Sequence, residues 1–218
     1  MSKFSILLKY LESKLLYDYE DGKQQHEFCD EVSYASVFDS IKICTKCLLH
    51  QKRNHAVPGE GVVHEPLVMV VGEAPGARED MEGKPFVGKA GQYLDRWLKA
   101  IGLSRQKNVY ITNVIKCRPP GNRTPYPTEV QACTPYLHQQ IRIIKPRYLL
   151  ALGLPAANFL WKHENRMGDI HGRWGEYESI PFLATYHPSA VLRNPYQLRP
   201  KVWEDLQILK RVIKQHVH

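Results

Sequence analysis

Residues 67–76 are Leu-Val-Met-Val-Val-Gly-Glu-Ala-Pro-Gly, a short apolar run that ends in a glycine-containing turn. Such a run predicts a strand that is buried on both faces of a parallel sheet. Three segments on its C-terminal side have the same form, and we predict a strand for each of them. They are residues 108–112, 148–152 and 182–185.

Helical patterns alternate with these strands. The clearest covers about 89–101, where Leu94, Trp97 and Leu98 share one face and Gly102 follows as a stop. The alternation predicts an α/β fold with three layers (αβα) around a central four-stranded parallel sheet. The other predicted helices lie at about 128–144, where Thr128 is the cap and Pro146 the stop, at 155–163 and at 200–215.

The chain begins with a different pattern. Residues 1–20 have apolar residues at helical spacing, and an acidic and polar linker follows at 20–31. We therefore predict an N-terminal helical extension, residues 1–31, and one domain, residues 32–218, whose first element is a helical stretch at about 32–50. The extension is either a packing helix or a partner-binding element.

Composition and charge limit the class of protein. The 218 residues are 43% hydrophobic and 24% charged, as in ordinary globular proteins, and no apolar run approaches the about 18–20 residues that span a bilayer. The first residues are too briefly apolar for a signal peptide, so we expect a cytoplasmic protein. The formal charge of +8 favours phosphate contacts, although many basic proteins bind nothing acidic.

Polar or backbone-exposing residues follow each predicted strand. They are residues 72–76, Asn113, Gly153 and residues 186–189. The carboxyl ends of parallel strands lie at one edge of an open α/β sheet, and ligands bind at that edge. We therefore expect these residues to form one site.

Four side chains near this edge have chemistry that suits a nucleic-acid base and its phosphate. Phe86, in the loop 83–88, is placed to stack on a planar base or to anchor its own loop. The Asn113 amide carries donors and an acceptor that match the edge of a base, or it caps a turn. His187 can donate a hydrogen bond to a carbonyl oxygen that gains negative charge, or it is structural. Arg193 is a basic residue suited to phosphate.

The cysteines predict a metal site. Five cysteines in a cytoplasmic chain argue against a disulfide framework. Cys44 and Cys47 form a two-ligand motif, and Cys117 and Cys133 form a wider pair with 15 residues between them. Zinc accepts four thiolates as readily as an iron–sulfur cluster uses them, so the spacing leaves both open. Cys29 is interpreted as a structural or free thiol.

Several motifs, in this order, resemble the thermostable, iron–sulfur-containing uracil-DNA glycosylases, usually called family 4. Each motif is weak alone, and their joint order is specific. The matching region spans about 41–215, nearly all of the chain after the extension. The motifs are GEAPGARED at 72–80, GKPFVGKAG at 83–91, TNVIKCRPPGNRTP at 112–125, residues 129–133 and 151–153, and HPSAVLRN at 187–194.

The resemblance implies a cofactor and a set of site residues. A structural [4Fe–4S] cluster would be bound by Cys44, Cys47, Cys117 and Cys133. Uracil would be bound by the backbone of Glu73, Ala74 and Pro75, by stacking on Phe86, by Asn113 at its edge and by His187 near a carbonyl oxygen, and DNA by Asn122, Arg123 and Arg193.

The resemblance also implies an activity. Uracil in double- or single-stranded DNA would be flipped out of the stack and its N-glycosidic bond hydrolysed, which leaves an abasic site and begins base excision repair. Asn113 and His187 would stabilise the departing base electrostatically. Ala74 stands where better-known uracil glycosylases carry an aspartate, so Glu73, Glu79 or no specific group would activate water, with Glu73 favoured. Glu73, Asn113 and His187 are therefore the candidate catalytic residues.

Three further expectations complete this interpretation. The segment after Cys117 lacks the insertion of a related crosslinking branch, so the enzyme should turn over freely. We expect a monomer with no membrane partner. If the extension is a partner-binding element, a replication or repair protein is the expected partner. The alternatives are a DNA-binding module without catalysis and a zinc-stabilised nucleotide hydrolase.

Overall fold

The computed structural model describes residues 33–216. The helix predicted at 1–20, the linker, the extension 1–31 and Cys29 lie outside the described residues. The domain boundary predicted at residues 31 and 32 therefore stays a prediction.

The described residues contain one mixed sheet of six strands in the order β1-β3-β2-β4-β6-β5. Its four central strands, β3-β2-β4-β6, are parallel, which confirms the predicted core of the sheet. The strands are β1 Glu60–Gly61, β2 Val68–Gly72, β3 Val109–Asn113, β4 Tyr148–Leu152, β5 Trp174–Tyr177 and β6 Ile180–Thr185.

The two edge strands, β1 and β5, are antiparallel and were not predicted. β1 has two residues, and β5 is largely half-buried or exposed, whereas β2, β3 and β4 are buried throughout. A strand that buries little of its surface has no continuous apolar run, so sequence pattern does not reveal it.

Helices cover both faces of the sheet. The helices are α1 Tyr34–Lys42, α2 Ala77–Glu82, α3 Lys89–Ala100, α4 Pro127–Ile144, α5 Leu154–Trp161, α6 Met167–Ile170, α7 Pro188–Arg193 and α8 Pro195–Ile213, with short 3₁₀ turns at Leu48–Gln51, Pro120–Asn122 and Lys214–His216. Met69 and Val71 of β2 face an apolar cluster that includes residues of α1, α4 and α5. Alternate residues of the strand point to the opposite face, where α8 contacts β6 and α7 packs on α3 and α8.

The single helix predicted at about 32–50 is wrong. The chain is helical only in α1 and in the short turn at Leu48–Gln51, and the backbone from Cys44 to Cys47 is irregular. Ile43 and Leu48 are strongly exposed, so the apolar face that buries Val37 and Ile41 in α1 does not continue. Cys44 and Cys47, at the two ends of this irregular segment, line the same cavity.

Two helices begin at residues that differ from the predicted starts. α4 begins at Pro127, and Glu129 accepts a hydrogen bond from the backbone N–H of Tyr126 at 2.8 Å, so Thr128 is inside the helix rather than its cap. α8 begins at Pro195, five residues before the predicted start. Within residues 33–216, none of the helices combines the length and apolar character that crossing a membrane requires.

We predict that Gly91→Ala destabilises the fold, because α3 meets the preceding loop at Gly91. A Cβ atom at Gly91 would overlap the carbonyl group of Phe86. Relieving such an overlap should lower the free energy of unfolding by about 2–3 kcal/mol, measured by denaturant titration.

Gly168→Ala is the matched control. A Cβ atom there meets nothing within 4 Å and Gly168 lies in a helix, so its unfolding free energy should stay within about 0.5 kcal/mol of the parent. Equal stability of the two variants would contradict the assigned contact between α3 and the loop.

Candidate functional site

A pocket of about 600 Å³ opens at the carboxyl ends of the central strands. Every residue for which a base or DNA contact was predicted lines this pocket, together with Glu79, Gly153 and Met167. The predicted residues are Glu73, Ala74, Pro75, Phe86, Asn113, Asn122, Arg123, His187 and Arg193.

The bottom of the pocket depends on the last residue of β2. Gly72 pairs in register with Asn113 at the end of β3. A Cβ atom at Gly72 would overlap Oδ1 of Asn113 and lie 2.7 Å from Cζ of Phe86. The missing side chain is therefore what lets the Asn113 amide and the Phe86 ring lie side by side.

Phe86 is held in place by its backbone neighbours. Its φ of 53° lies in the left-handed region, which is unfavourable for a phenylalanine. Glu79 Oε1 accepts hydrogen bonds from the backbone N–H groups of Val87 and Gly88, both at 2.9 Å. Arg105 donates to the carbonyl oxygens of Pro85 and Phe86, both at 2.6 Å. These contacts fix a ring that is only 6% exposed.

Glu79 and Arg105 were not recognised as loop-holding residues from the sequence. The Glu79 oxygen that faces the loop is engaged by two backbone donors. Arg105 also forms ion pairs with Glu60 and Asp95. Nothing in the local pattern links Arg105 to a loop some twenty residues earlier, so only the folded arrangement reveals this contact.

Asn113 carries the unsatisfied group of the pocket. Its side chain is buried, with 1% exposed, and its Oδ1 atom has no hydrogen-bond partner. A buried acceptor without a donor costs about 1–3 kcal/mol, so such a group calls for an explanation. Because Asn113 lines the pocket, its Oδ1 atom is placed to accept a hydrogen bond from an N–H group of a bound ligand.

His187 is the N-cap residue that precedes α7, and its ring lies against the Phe86 ring, with ring centroids 5.7 Å apart. Its Nδ1 atom accepts a hydrogen bond from the backbone N–H of Ser189 at 3.2 Å. A backbone N–H can only donate, so Nδ1 carries a lone pair and the neutral ring is protonated at Nε2. Burial, and then the nearby Arg193 charge, lower the pKa of His187 to about 4, partly opposed by Glu79.

Glu73 is the carboxylate at the turn after β2. It is half-buried, and burial raises the pKa of its carboxyl above the ordinary value. Its backbone oxygen accepts from the N–H of Ile115 at 3.1 Å, which ties the turn to the segment after β3. Ala74 and Pro75 continue along the pocket wall and contribute no ionisable group.

The three residues predicted to contact DNA have different surroundings. Arg123 makes a two-point ion pair with Glu129, at 2.7 and 2.8 Å, so a phosphate would have to share this guanidinium. Oδ1 of Asn122 accepts a hydrogen bond from Arg118 at 2.7 Å. The Arg193 side chain has no hydrogen bond or ion pair with any residue in the described part of the chain, and it lines the pocket.

Leu192 is a surface feature that the sequence reasoning missed. It is 47% exposed and stands between Ala190 and Arg193, which both line the pocket. Tyr196, a few residues later, is 93% exposed. The sequence signal for this feature was an apolar residue that follows the His-Pro-Ser motif and directly precedes Arg193.

Four free cysteines line a second, small cavity: Cys44, Cys47, Cys117 and Cys133. Backbone N–H groups lie 3.5 Å from Sγ of Cys44 and 3.3 Å from Sγ of Cys133, and the Arg53 guanidinium donates to Sγ of Cys117 at 3.1 Å. Such donors around sulfur are typical of metal-bound thiolates. Over the described residues, no three His, Cys, Asp or Glu side chains are grouped as ligands of one metal ion.

We predict that His187 is neutral, with its proton on Nε2, at any pH well above 4. Ring nitrogen chemical shifts measured by NMR should show this tautomer and a titration midpoint near pH 4, with the signal assigned by its loss in His187→Asn. Below pH 6.5 the histidine of the unfolded chain becomes protonated while the buried ring of the folded protein stays neutral. The free energy of unfolding should therefore fall as pH drops from 6.5 towards 4. A midpoint near 6.5 would contradict the buried, acceptor-paired ring.

Comparison with known proteins identifies the family. The model of the uracil DNA glycosylase superfamily matches residues 58–207. A type-4 uracil-DNA glycosylase from Pyrobaculum aerophilum is 50% identical over 174 residues, which cover 76% of this chain and 87% of that protein. Proteins of the same name from Saccharolobus solfataricus and Thermotoga maritima are each 43% identical, over 81% and 82% of this chain and 85% and 94% of their own lengths. The chain belongs to the type-4 uracil-DNA glycosylases of this superfamily.

Proposed function

We propose that this protein flips uracil out of DNA and hydrolyses its N-glycosidic bond, which leaves an abasic site and begins base excision repair. The observation that carries the proposal is the buried, unpaired Oδ1 of Asn113 in a pocket beside Phe86 and His187. The type-4 uracil-DNA glycosylases that are similar over most of the chain support it.

The proposed recognition of uracil uses three side chains. The Phe86 ring stacks on the base, since it lines the pocket and is fixed by Glu79 and Arg105. Oδ1 of Asn113 accepts from the ring N–H of uracil, and its amide N–H₂ donates to the adjacent carbonyl oxygen. The pairing satisfies the orphaned acceptor and favours a base with uracil's donor–acceptor order.

Departure of the base is the step that these groups assist. When the glycosidic bond breaks, negative charge develops on the uracil carbonyl oxygens and positive charge on the sugar. A donor aimed at one of those oxygens and fixed in advance lowers the barrier, because it need not reorganise during the reaction. Nε2–H of His187 is such a donor in the neutral ring, and its depressed pKa keeps the ring neutral at physiological pH.

Water then attacks C1′ of the sugar. Glu73 is the carboxylate that we favour to position this water, because it is half-buried at the turn and its raised pKa makes it a better base than an exposed carboxylate. Glu79 holds the Phe86 loop through its carboxylate, which makes it less suited to this step. Since Ala74 has no polar side chain, most of the rate enhancement comes from stabilisation of the leaving base.

DNA would lie across the open side of the pocket. Arg193 is an unpaired cation that lines the pocket, and the formal charge of +8 favours the phosphate backbone in double- or single-stranded DNA. Leu192 is an exposed apolar side chain beside it, suited to occupy the space that a flipped nucleotide leaves. Asn122 and Arg123 also line the pocket, and the Arg123 guanidinium is paired with Glu129.

We predict that Asn113→Ala lowers the rate of uracil excision about 100- to 1,000-fold under single-turnover conditions. The amide contacts the departing base, so DNA binding outside the pocket should change little. Cleavage of a labelled duplex containing one G·U pair, after alkaline treatment of the abasic product, measures the rate.

Asn108→Ala is the matched control for this prediction. Asn108 precedes β3 at the opposite end of the same strand, where it bonds the backbone of Ser104 and Gly102. Its excision rate should stay within about threefold of the parent. An Asn113→Ala enzyme with the parent's rate would remove Asn113 from the mechanism, and a parent protein that binds uracil-DNA tightly without cleaving it would favour the DNA-binding module.

We further propose a [4Fe–4S] cluster bound by Cys44, Cys47, Cys117 and Cys133. The four thiols face one cavity, and the sulfur atoms of Cys44, Cys117 and Cys133 each receive an N–H donor. Such a cluster would supply no chemistry to the reaction. It would cross-link the irregular segment after α1, the loop after β3 and helix α4.

We predict that the purified protein is brown and contains about four iron atoms and four acid-labile sulfides per chain. Cys117→Ser should lose iron, colour and thermal stability, because Cys117 joins the loop after β3 to the other ligands. Cys29→Ser, at a cysteine not predicted as a ligand, should keep all three. A stable, colourless and active Cys117→Ser protein would refute the cluster, and zinc in place of iron would favour the zinc-stabilised hydrolase.

The cellular setting is also a proposal. The four described cysteines are free of disulfides, which suits the reducing cytoplasm. We expect the enzyme to act there as a monomer. A replication or repair partner for the extension 1–31 stays a prediction.

A further inference from the structure

Lys116 is a buried cation that the proposed mechanism leaves without a role. It lies between Asn113 and Cys117 in the sequence and is 1% exposed. Its ammonium group donates three hydrogen bonds, each of 2.7 Å, to Oγ1 of Thr112, the backbone oxygen of Asn113 and Oε1 of Gln140. These three acceptors use all three of its protons.

The partners of Lys116 satisfy its hydrogen bonds but not its charge. All three acceptors are neutral, and no carboxylate in the described part of the chain pairs with Lys116. A buried charge is stable only beside an opposite charge. The groups of that kind next to Lys116 are the cysteines: its own backbone N–H donates to Sγ of Cys133 at 3.3 Å, and Lys116 lines the cavity of the four thiols.

Three cations line the cysteine cavity: Lys46, which is exposed, Arg53, which is half-buried, and Lys116, which is buried. Arg53 donates through Nη1 to Sγ of Cys117 at 3.1 Å and through Nη2 to the backbone oxygen of Lys42 at 2.8 Å. An oxidised [4Fe–4S] core with four thiolates carries a net double negative charge. Lys116 and Arg53, the two of these cations that are shielded from solvent, together match that charge, and only Lys116 also contacts Asn113.

We propose that Lys116 is a positioning residue that couples the cysteine-bound cluster to the uracil pocket. Its charge balances the cluster, and its hydrogen bond to the Asn113 backbone fixes the amide that reads the base. This inference rests on the proposed function and on the proposed cluster.

The network around Lys116 shows why its loss would reach the pocket. Thr112 and Gln140 both donate to the backbone oxygen of Pro58, at 2.8 Å each, and Gln140 also contacts the hydroxyl of Tyr110 at 3.2 Å. The ammonium group is the centre of this network at the end of β3. Without it, the carbonyl oxygens of Asn113 and Gln140 lose a buried donor, and the end of the strand must rearrange.

The test compares Lys116→Met with Arg53→Gln in the full chain, loaded with iron and sulfide. Both variants remove one positive charge beside the cluster, so both should shift its reduction potential to more negative values. Only Lys116→Met should also slow single-turnover excision of a G·U duplex, by about 10- to 100-fold, because misplacing a substrate-positioning group by about 1 Å costs about 100-fold in rate. Arg53→Gln at full iron content should stay within about threefold of the parent rate.

A double-mutant cycle separates positioning from a general loss of structure. If Lys116 acts through Asn113, adding Lys116→Met to Asn113→Ala should slow excision by less than about threefold. A full multiplicative loss would overturn the coupling to Asn113. An unchanged potential in Lys116→Met would overturn the charge balance.

Gln140→Glu keeps the test decisive if Lys116→Met does not fold. This change puts a carboxylate within hydrogen-bond distance of the ammonium group and leaves the bond from Lys116 to Asn113 in place, although it removes the N–H donor to the Pro58 oxygen. It should lower the reduction potential, and an unchanged potential would overturn the proposal. A parent protein without iron or without excision would instead refute the proposed function, so the two failures are distinct.

Discussion

The geometry of the candidate pocket depends on the close approach of β2 and β3 at Gly72 and Asn113. These residues are paired in register, and the missing side chain of Gly72 leaves the space that the Asn113 amide and the Phe86 ring occupy. A larger residue would separate the two groups. The loop that carries Phe86 is then fixed by Glu79 on one side and Arg105 on the other.

The segment from Thr112 to Cys117 links two sites that are separate cavities. Asn113 faces the pocket, Cys117 faces the other cysteines, and Lys116 lies between them with its ammonium group bonded to the Asn113 backbone. Six residues therefore connect the proposed base-reading residue to the cysteine site. In the proposed coupling, a structural group bound at one end influences chemistry at the other without touching the substrate.

The sequence revealed the parts of the fold that bury continuous apolar runs. β2, β3 and β4 are buried throughout and were predicted, whereas the edge strands β1 and β5 bury too little to leave a pattern. The predicted helix at 32–50 failed because helical spacing within α1 was extended across exposed Ile43 and Leu48. The spacing of apolar residues along the chain does not show where a helix stops packing against the core.

The sequence by itself determined the fold class, the sheet edge at which the site lies and, through the order of its motifs, the family. Those properties follow from periodicity and from residue identity along the chain. Only the tertiary structure decided the proton position on His187, the engagement of Glu79 and Arg123, the unpaired Asn113 oxygen and the contacts of Lys116. Each of these depends on the distance between atoms far apart in sequence, and such distances are set when the whole chain packs.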